Sequence, residues 1–300
     1  MPFDLSAEEL ARFDRDGFFG PFEVYERDEI QSELRKLRAA LLDRTGAVYD
    51  SETGGNIANY DRHLDLGFLA RHIRRPQIVD RVSSILGSDL LCWRTEFFAK
   101  YPGDEGTDWH QSRKMAIGSG VAPLLATEPH PKYQDYFLTL AAWTAFTDAT
   151  TETSCMQYVP GSHEKLYFDD SRSMTWRPET INQVVRGGVK RGLFGYDNRE
   201  IQVDPSWDPS DCAPVTLELS AGQCVLAWEA TMHGSLPNTT TDRTRMAFVA
   251  RYVPTNVRIY PNQATLDEFG GTADVSKWSA VVVSGVDTYG YNRIQAKPPG

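Results

Sequence analysis

The change of texture between Leu86 and Leu90 constrains this chain more than any other feature. Apolar residues recur at helical spacing before it and in short β-forming runs after it. Ser6 with Glu9 three residues on forms a capping box, and Gly17 supplies a stop, so a short helix is expected to open the chain. From Glu26 to about Leu42, Ile30, Leu34, Leu37 and Leu41 fall at i, i+4, i+7 and i+11, one stripe of an amphipathic helix with an Arg/Lys/Glu outer face. Residues 64–86 again read as helical, interrupted before Pro76 and closed by Gly87. The runs Leu90 to Phe98, Tyr136 to Phe146, Met156 to Val159, Cys224 to Trp228 and Met246 to Val253 are dense in β-formers and separated by turn residues. Helices first and strands later predict an α+β fold, with N-terminal helices buttressing an antiparallel sandwich or barrel. The turn-rich segments 113–133 and 197–214 read as long loops over the sheet ends, where sites usually sit.

No repeat and no Gly/Ser/Pro-rich linker divides the 300 residues, so residues 1–300 are expected to form a single domain. Charged residues are 24% and hydrophobic ones 41%, which supplies a core and excludes a disordered polymer. The net charge of −10 gives the whole protein no electrostatic footprint for nucleic acid or an anionic membrane, so an anionic ligand needs local cations. Cys92, Cys155, Cys212 and Cys224 include no CxxC pair and read as buried thiols of a reducing compartment. The first ten residues lack a basic and then apolar leader, and no run reaches the roughly 18 apolar residues that span a bilayer. A cytoplasmic, membrane-free location is the expectation.

Six histidines are present, and two stand out by context. His110 follows an aromatic-rich strand and the turn-rich run Tyr101 to Trp109, and His233 is read as ending the strand that begins at Cys224. Arg245 follows twelve residues after His233 and heads another strand. Two imidazoles from different strands can hold a metal while a guanidinium one strand on takes a carboxylate bidentately. By spacing alone such histidines are as readily surface or hydrogen-bonded residues. His163, in Pro160-Gly-Ser-His, reads as a turn cap; His63, His72 and His130 read as structural or solvated.

Longer runs carry a resemblance: Asn56-Ile-Ala-Asn-Tyr-Asp-Arg-His63, Cys92-Trp-Arg-Thr-Glu-Phe-Phe98, Tyr101-Pro-Gly-Asp-Glu-Gly-Thr-Asp-Trp-His-Gln111, Trp143-Thr-Ala-Phe-Thr-Asp148, Arg191-Gly-Leu-Phe-Gly-Tyr-Asp197 and Arg251-Tyr-Val-Pro254. Across nearly its whole length the chain resembles the phytanoyl-CoA dioxygenase superfamily, and within it the syringomycin-type aliphatic halogenases. The resemblance implies a double-stranded β-helix, the cupin-like jelly roll. It also implies an enzyme dependent on iron(II), 2-oxoglutarate and O₂ that delivers chloride to an unactivated aliphatic carbon. The family's usual substrate is an aminoacyl group tethered by phosphopantetheine to a carrier protein, which would then be a partner. Carried over by position, His110 and His233 match the metal ligands. Arg245, Thr107 and Trp143 match the groups around the far carboxylate of 2-oxoglutarate. Arg251, on the same face as Arg245 in a period-two strand, matches a position linked to the halide, and Phe98 and Phe194 match the substrate chamber.

Ordinary members of the superfamily carry His-x-Asp/Glu, and the halogenases carry Ala or Gly where the carboxylate stood. This chain has His110-Gln111-Ser112. Removing the carboxylate leaves a corner that chloride can take, and a serine hydroxyl is too short and too weak a ligand to replace it. Ser112 is therefore expected to hydrogen-bond a halide or water there. Ile117 and Ala141 stand where polar residues would surround a halide, and Arg113 and Lys114, surface residues by default, could return positive charge. Two alternatives follow: a hydroxylase or desaturase with water in the corner, and a non-catalytic jelly-roll binding module.

Overall fold

A computed structural model describes residues 1–49, 59–116, 119–128, 139–180, 184–186 and 188–299. Ile117, His130 and the start of the run at Tyr136 lie outside the described residues. The helices are α1 Ala7–Asp16, α2 Arg27–Ala40, α3 Gly67–His72 and α4 Pro76–Leu86. The Ser6–Glu9 capping box closes the start of α1, and Gly17 at φ 83° ends it.

The strands are β1 Phe18–Glu23, β2 Leu90–Lys100, β3 Gly106–Thr107, β4 Leu124–Ala126, β5 Leu140–Ala145, β6 Met156–Tyr158, β7 Val184–Arg186 and β8 Val189–Gly192. They continue as β9 Val215–Leu217, β10 Gln223–Trp228, β11 His233–Ser235, β12 Arg245–Pro254, β13 Val257–Ile259, β14 Thr265–Glu268, β15 Gly271–Asp274 and β16 Val281–Ser284. Six form an antiparallel sheet in the order β1-β10-β5-β12-β2-β16. Two three-stranded sheets, β11-β6-β9 and β3-β8-β7, are joined by an isolated bridge between His110 and His233. Strand predominance with N-terminal helices is consistent with a jelly roll.

Side-chain alternation explains the layering. On β5, β10 and β12, Leu140, Ala142, Leu226, Trp228, Phe248, Ala250 and Tyr252 turn to one face and pack on Phe13, Ile30, Leu34, Leu37 and Val82 of the helices. Ala141, Trp143, Val225, Ala227, Ala247 and Val249 turn to the other face and meet Met156 and Tyr158 of the small sheet. The helix stripe and the sheet's outer face thus bury each other, leaving the inner face of the six-stranded sheet for a cavity.

Two expectations are corrected. Helices do not all precede strands, because Phe18–Glu23 is a strand on the edge of the main sheet. Its Gly20-Pro21 hides it in the sequence, yet Pro is tolerated where no inner neighbour needs its missing N–H. His233 does not end the strand begun at Cys224: β10 stops at Trp228, a turn closed by Thr231 N donating to Trp228 O (2.9 Å) changes sheets, and His233 begins β11. Cys92, Cys155 and Cys224 are buried as expected, Cys212 only partly, and all four are free thiols. Among the described residues no helix is long and apolar enough to cross a membrane.

Candidate active site

His110 and His233 face each other across the bridge. His110 N donates to His233 O and His233 N to His110 O, each at 3.0 Å, and the ring centroids are 4.1 Å apart. Each Nδ1 lies 2.7 Å from a backbone carbonyl two residues before it, of Asp108 and of Thr231. A carbonyl can only accept, so Nδ1 carries the proton in both rings and Nε2 keeps its lone pair. Burial, with the neighbouring imidazole next in weight, pushes the His110 pKa down to about 3, and burial pushes His233 to about 4. Two neutral imidazoles with free Nε2 atoms at one edge of a cavity of about 590 Å³ are a donor set for a divalent metal. Among the described residues no group of three His, Cys, Asp or Glu side chains could hold a metal, so this pair has no third protein ligand.

Further along the cavity Arg245 heads β12, fully buried under Trp143, with Cζ 5.3 Å from the indole ring. Its donors reach Ser154 O (3.1 Å), Ser154 Oγ (3.2 Å) and Phe98 O (3.1 Å), all neutral. Among the described residues no carboxylate pairs with it, and burial lowers its pKa to about 10. A buried guanidinium without a counter-ion is a site for an anion. Thr107 lines the same region, its N–H held by Ser235 Oγ (3.0 Å). Lys100, opposite Arg245 in the β12–β2 register, was not singled out by the sequence. It is buried, lines the cavity and donates to Glu105 O at 2.7 Å; burial and the Arg245 charge bring its pKa to about 8. The Phe98 and Phe194 rings lie 5.9 Å apart, tilted by 42°, and Phe269 meets Phe194 edge-on at 5.7 Å, so the chamber has an aromatic wall one residue wider than expected.

The third corner differs from expectation in its partners. Ser112 Oγ donates to Asp170 Oδ2 at 2.8 Å, and Lys114 N donates to the same oxygen at 2.9 Å. Between the site residues, Gln111 points the opposite way: its Nε2 donates to Lys165 O (3.0 Å) and Ala230 O (2.8 Å), and its Oε1 accepts from Tyr167 N (2.5 Å) and Phe168 N (3.1 Å). Arg251 is on the cavity side of β12 with Arg245, but its charge is taken: Nε meets Glu229 Oε1 at 2.7 Å and Nη1 meets Glu96 Oε1 at 3.1 Å. Arg94 continues this buried chain, 3.0 Å from Glu268 and 3.7 Å from Glu96. Ala141 lines the cavity without a polar atom in its side chain. Arg113 is buried, not surface, and donates to His163 O at 2.8 Å, whereas the Lys114 side chain is exposed. Asp170, Glu229, Glu96, Glu268 and Lys100 all line the cavity. Glu96 and Lys100 both stand on β2 while Asp170, Glu229 and Glu268 come from separate segments, and none sits in a spaced motif, which is why sequence reasoning missed them. His63, His72 and His163 are buried away from the cavity; His163 Nε2 lies 3.1 Å from Asp14 O.

A family model described as phytanoyl-CoA dioxygenase (PhyH) matches residues 13–247. The chain belongs to this family. It is accordingly an oxygenase-type enzyme and not a binding module. Among solved structures, one described as "CytC3 with Fe(II) and alpha-ketoglutarate" is 39% identical, covers 99% of this chain and 94% of its own, and superposes with a TM-score of 0.75. The nickel complex of the non-heme monooxygenase ThoJ is 25% identical over 96% of this chain and 88% of its own, with a TM-score of 0.61. The alpha-ketoglutarate-dependent epimerase SnoN, 20% identical over 91% of this chain and 96% of its own with a TM-score of 0.59, shares the fold. No curated protein matches the chain.

Proposed function

We propose that the chain is a mononuclear iron(II)- and 2-oxoglutarate-dependent halogenase acting on an unactivated aliphatic carbon of an amino acid tethered to a carrier protein. The observation that carries this reading is a pair of neutral, Nε2-free imidazoles that, among the described residues, has no third protein ligand, beside a buried arginine that has no counter-ion among them. The residues fit the absent groups. His110 and His233 would hold iron, and Arg245, with Thr107 and Trp143, would bind the far carboxylate of 2-oxoglutarate. With O₂, the bound iron and 2-oxoglutarate supply the oxidant that removes hydrogen from carbon.

The chain's own contribution is placement and exclusion. Trp143 and the buried walls keep water from the carboxylate site, which strengthens the Arg245 interaction. Phe98, Phe194 and Phe269 offer an apolar surface that orients an aliphatic side chain. The corner beside Ser112 and Ala141 is left for a solute ligand, chloride in this reading. The full-length likeness to CytC3 supports the iron and 2-oxoglutarate assignment, and the resemblance to the aliphatic halogenases supports the halide and the carrier partner.

A specific observation favours a second reading, hydroxylation or desaturation with water in the corner. The Ser112 proton is committed to Asp170, and the Arg251 charge is paired with two glutamates, so the corner holds no unpaired positive charge from Arg251 and no hydroxyl donor from Ser112 for a halide. Incubation with iron(II), 2-oxoglutarate, O₂, chloride and a panel of carrier-bound amino acids, read by mass spectrometry, tests the choice. Chlorine incorporation is the expected result; oxygen incorporation alone would reject the halogenase.

A further inference from the structure

We propose that Asp170 is the specificity-determining residue of the third coordination corner, weakening chloride there relative to water. The inference rests on the two-histidine iron reading above. Ser112 lies two residues after His110 and lines the same cavity, at the position where relatives of the oxygenase type carry their carboxylate. This chain has not simply lost the carboxylate; it supplies one from a different segment. Asp170 is 4% exposed, and one of its oxygens accepts from both Ser112 Oγ (2.8 Å) and Lys114 N (2.9 Å). Both Ser112 and Asp170 line the cavity.

Two consequences follow from elementary chemistry. A hydroxyl has one hydrogen, and Ser112 spends it on Asp170, so it turns only lone pairs toward any further ligand. Water can donate to lone pairs and chloride cannot. Asp170 also adds a negative charge one hydrogen bond beyond the corner. Among the described residues no ion pair to Asp170 is seen: Arg251 pairs with Glu96 and Glu229, and the Lys114 ammonium is exposed to solvent. Like charges a few ångströms apart in a partly buried site repel strongly enough to change an affinity by roughly tenfold or more.

The test is chloride binding, followed without turnover. Protein loaded anaerobically with iron(II) and 2-oxoglutarate is titrated with sodium chloride at constant ionic strength, and the visible charge-transfer band is recorded. Asp170→Asn keeps the acceptor for Ser112 and Lys114 and removes the charge; it should bind chloride roughly tenfold or more tightly than the natural protein. Ser112→Ala, which leaves the charge in place, should gain much less. Asp170→Ser gives a second charge-free variant should the asparagine variant not fold. Equal chloride affinity in the natural protein and the charge-free variants, or no chloride response in any of them, overturns the role of Asp170. Absence of the band when 2-oxoglutarate is added to the natural protein overturns the iron reading itself, and the Asp170 inference with it.

Discussion

The cavity has two arginines on one strand, six residues apart, with opposite fates. Arg251 is ion-paired with Glu96 and Glu229, and its neighbour Arg94 with Glu268, so the guanidinium charges at that end already have carboxylate partners. Arg245 and its cross-strand partner Lys100 touch only neutral oxygens, and both feel the charge of Asp104 from a distance. A buried charge with its partners in place holds the fold together; a buried charge without them is waiting for a ligand. The same residue type on the same face of one strand is thus ion-paired at one end and, among the described residues, without a carboxylate partner at the other.

The sharpest way to break this contrast is Arg251→Met. It strands two buried carboxylates, and loss of one partner of such a cluster costs about 3–5 kcal/mol of folding stability, which urea titration measures. The same substitution at the other end should act on binding. Arg245→Met is expected to weaken 2-oxoglutarate by roughly a hundredfold, the loss of a buried charged hydrogen-bond partner, in an anaerobic titration. Its unliganded stability should fall far less than that of Arg251→Met; an equal fall would erase the distinction.

Lys100→Met gives a smaller effect with a pH signature. The folded Lys100 pKa, about 8, lies below the usual lysine value, so burying its charge costs stability most fully below pH 8. As pH rises from 8 toward the unfolded value near 10.4, the folded state sheds its proton first and the cost fades. Lys100→Met should therefore be the more stable protein at pH 7, and its advantage should shrink by pH 10. Thermal melts across that range would show a constant gap if Lys100 were not desolvated.

α2 was readable because burial on one face leaves a period in the sequence, α1 because its capping box and Gly17 mark its ends, and α4 because Pro76 and Gly87 bound it. β1 escaped because its six residues include Gly20 and Pro21, and its partner β10 lies some two hundred residues away. His110, His233 and Arg245 were legible by context and resemblance, since strand ends carry them. Asp170, Glu229 and Lys100 were not, because what brings them together is the crossing of the chain between sheets. Glu229 sits in the very turn where β10 gives way to β11, and the expectation of one continuous strand hid that turn.

Gln111 gives the molecule a remote adjustment screw. Squeezed between His110 and Ser112, it bonds to neither and fastens the backbone of Lys165, Tyr167 and Phe168, two residues short of Asp170. Shortening that one side chain, as in Gln111→Asn, is expected to shift Asp170 relative to Ser112, since it removes the tie to the segment that carries Asp170. The placement of that acidic group thus depends on a side chain whose own hydrogen bonds all go to backbone.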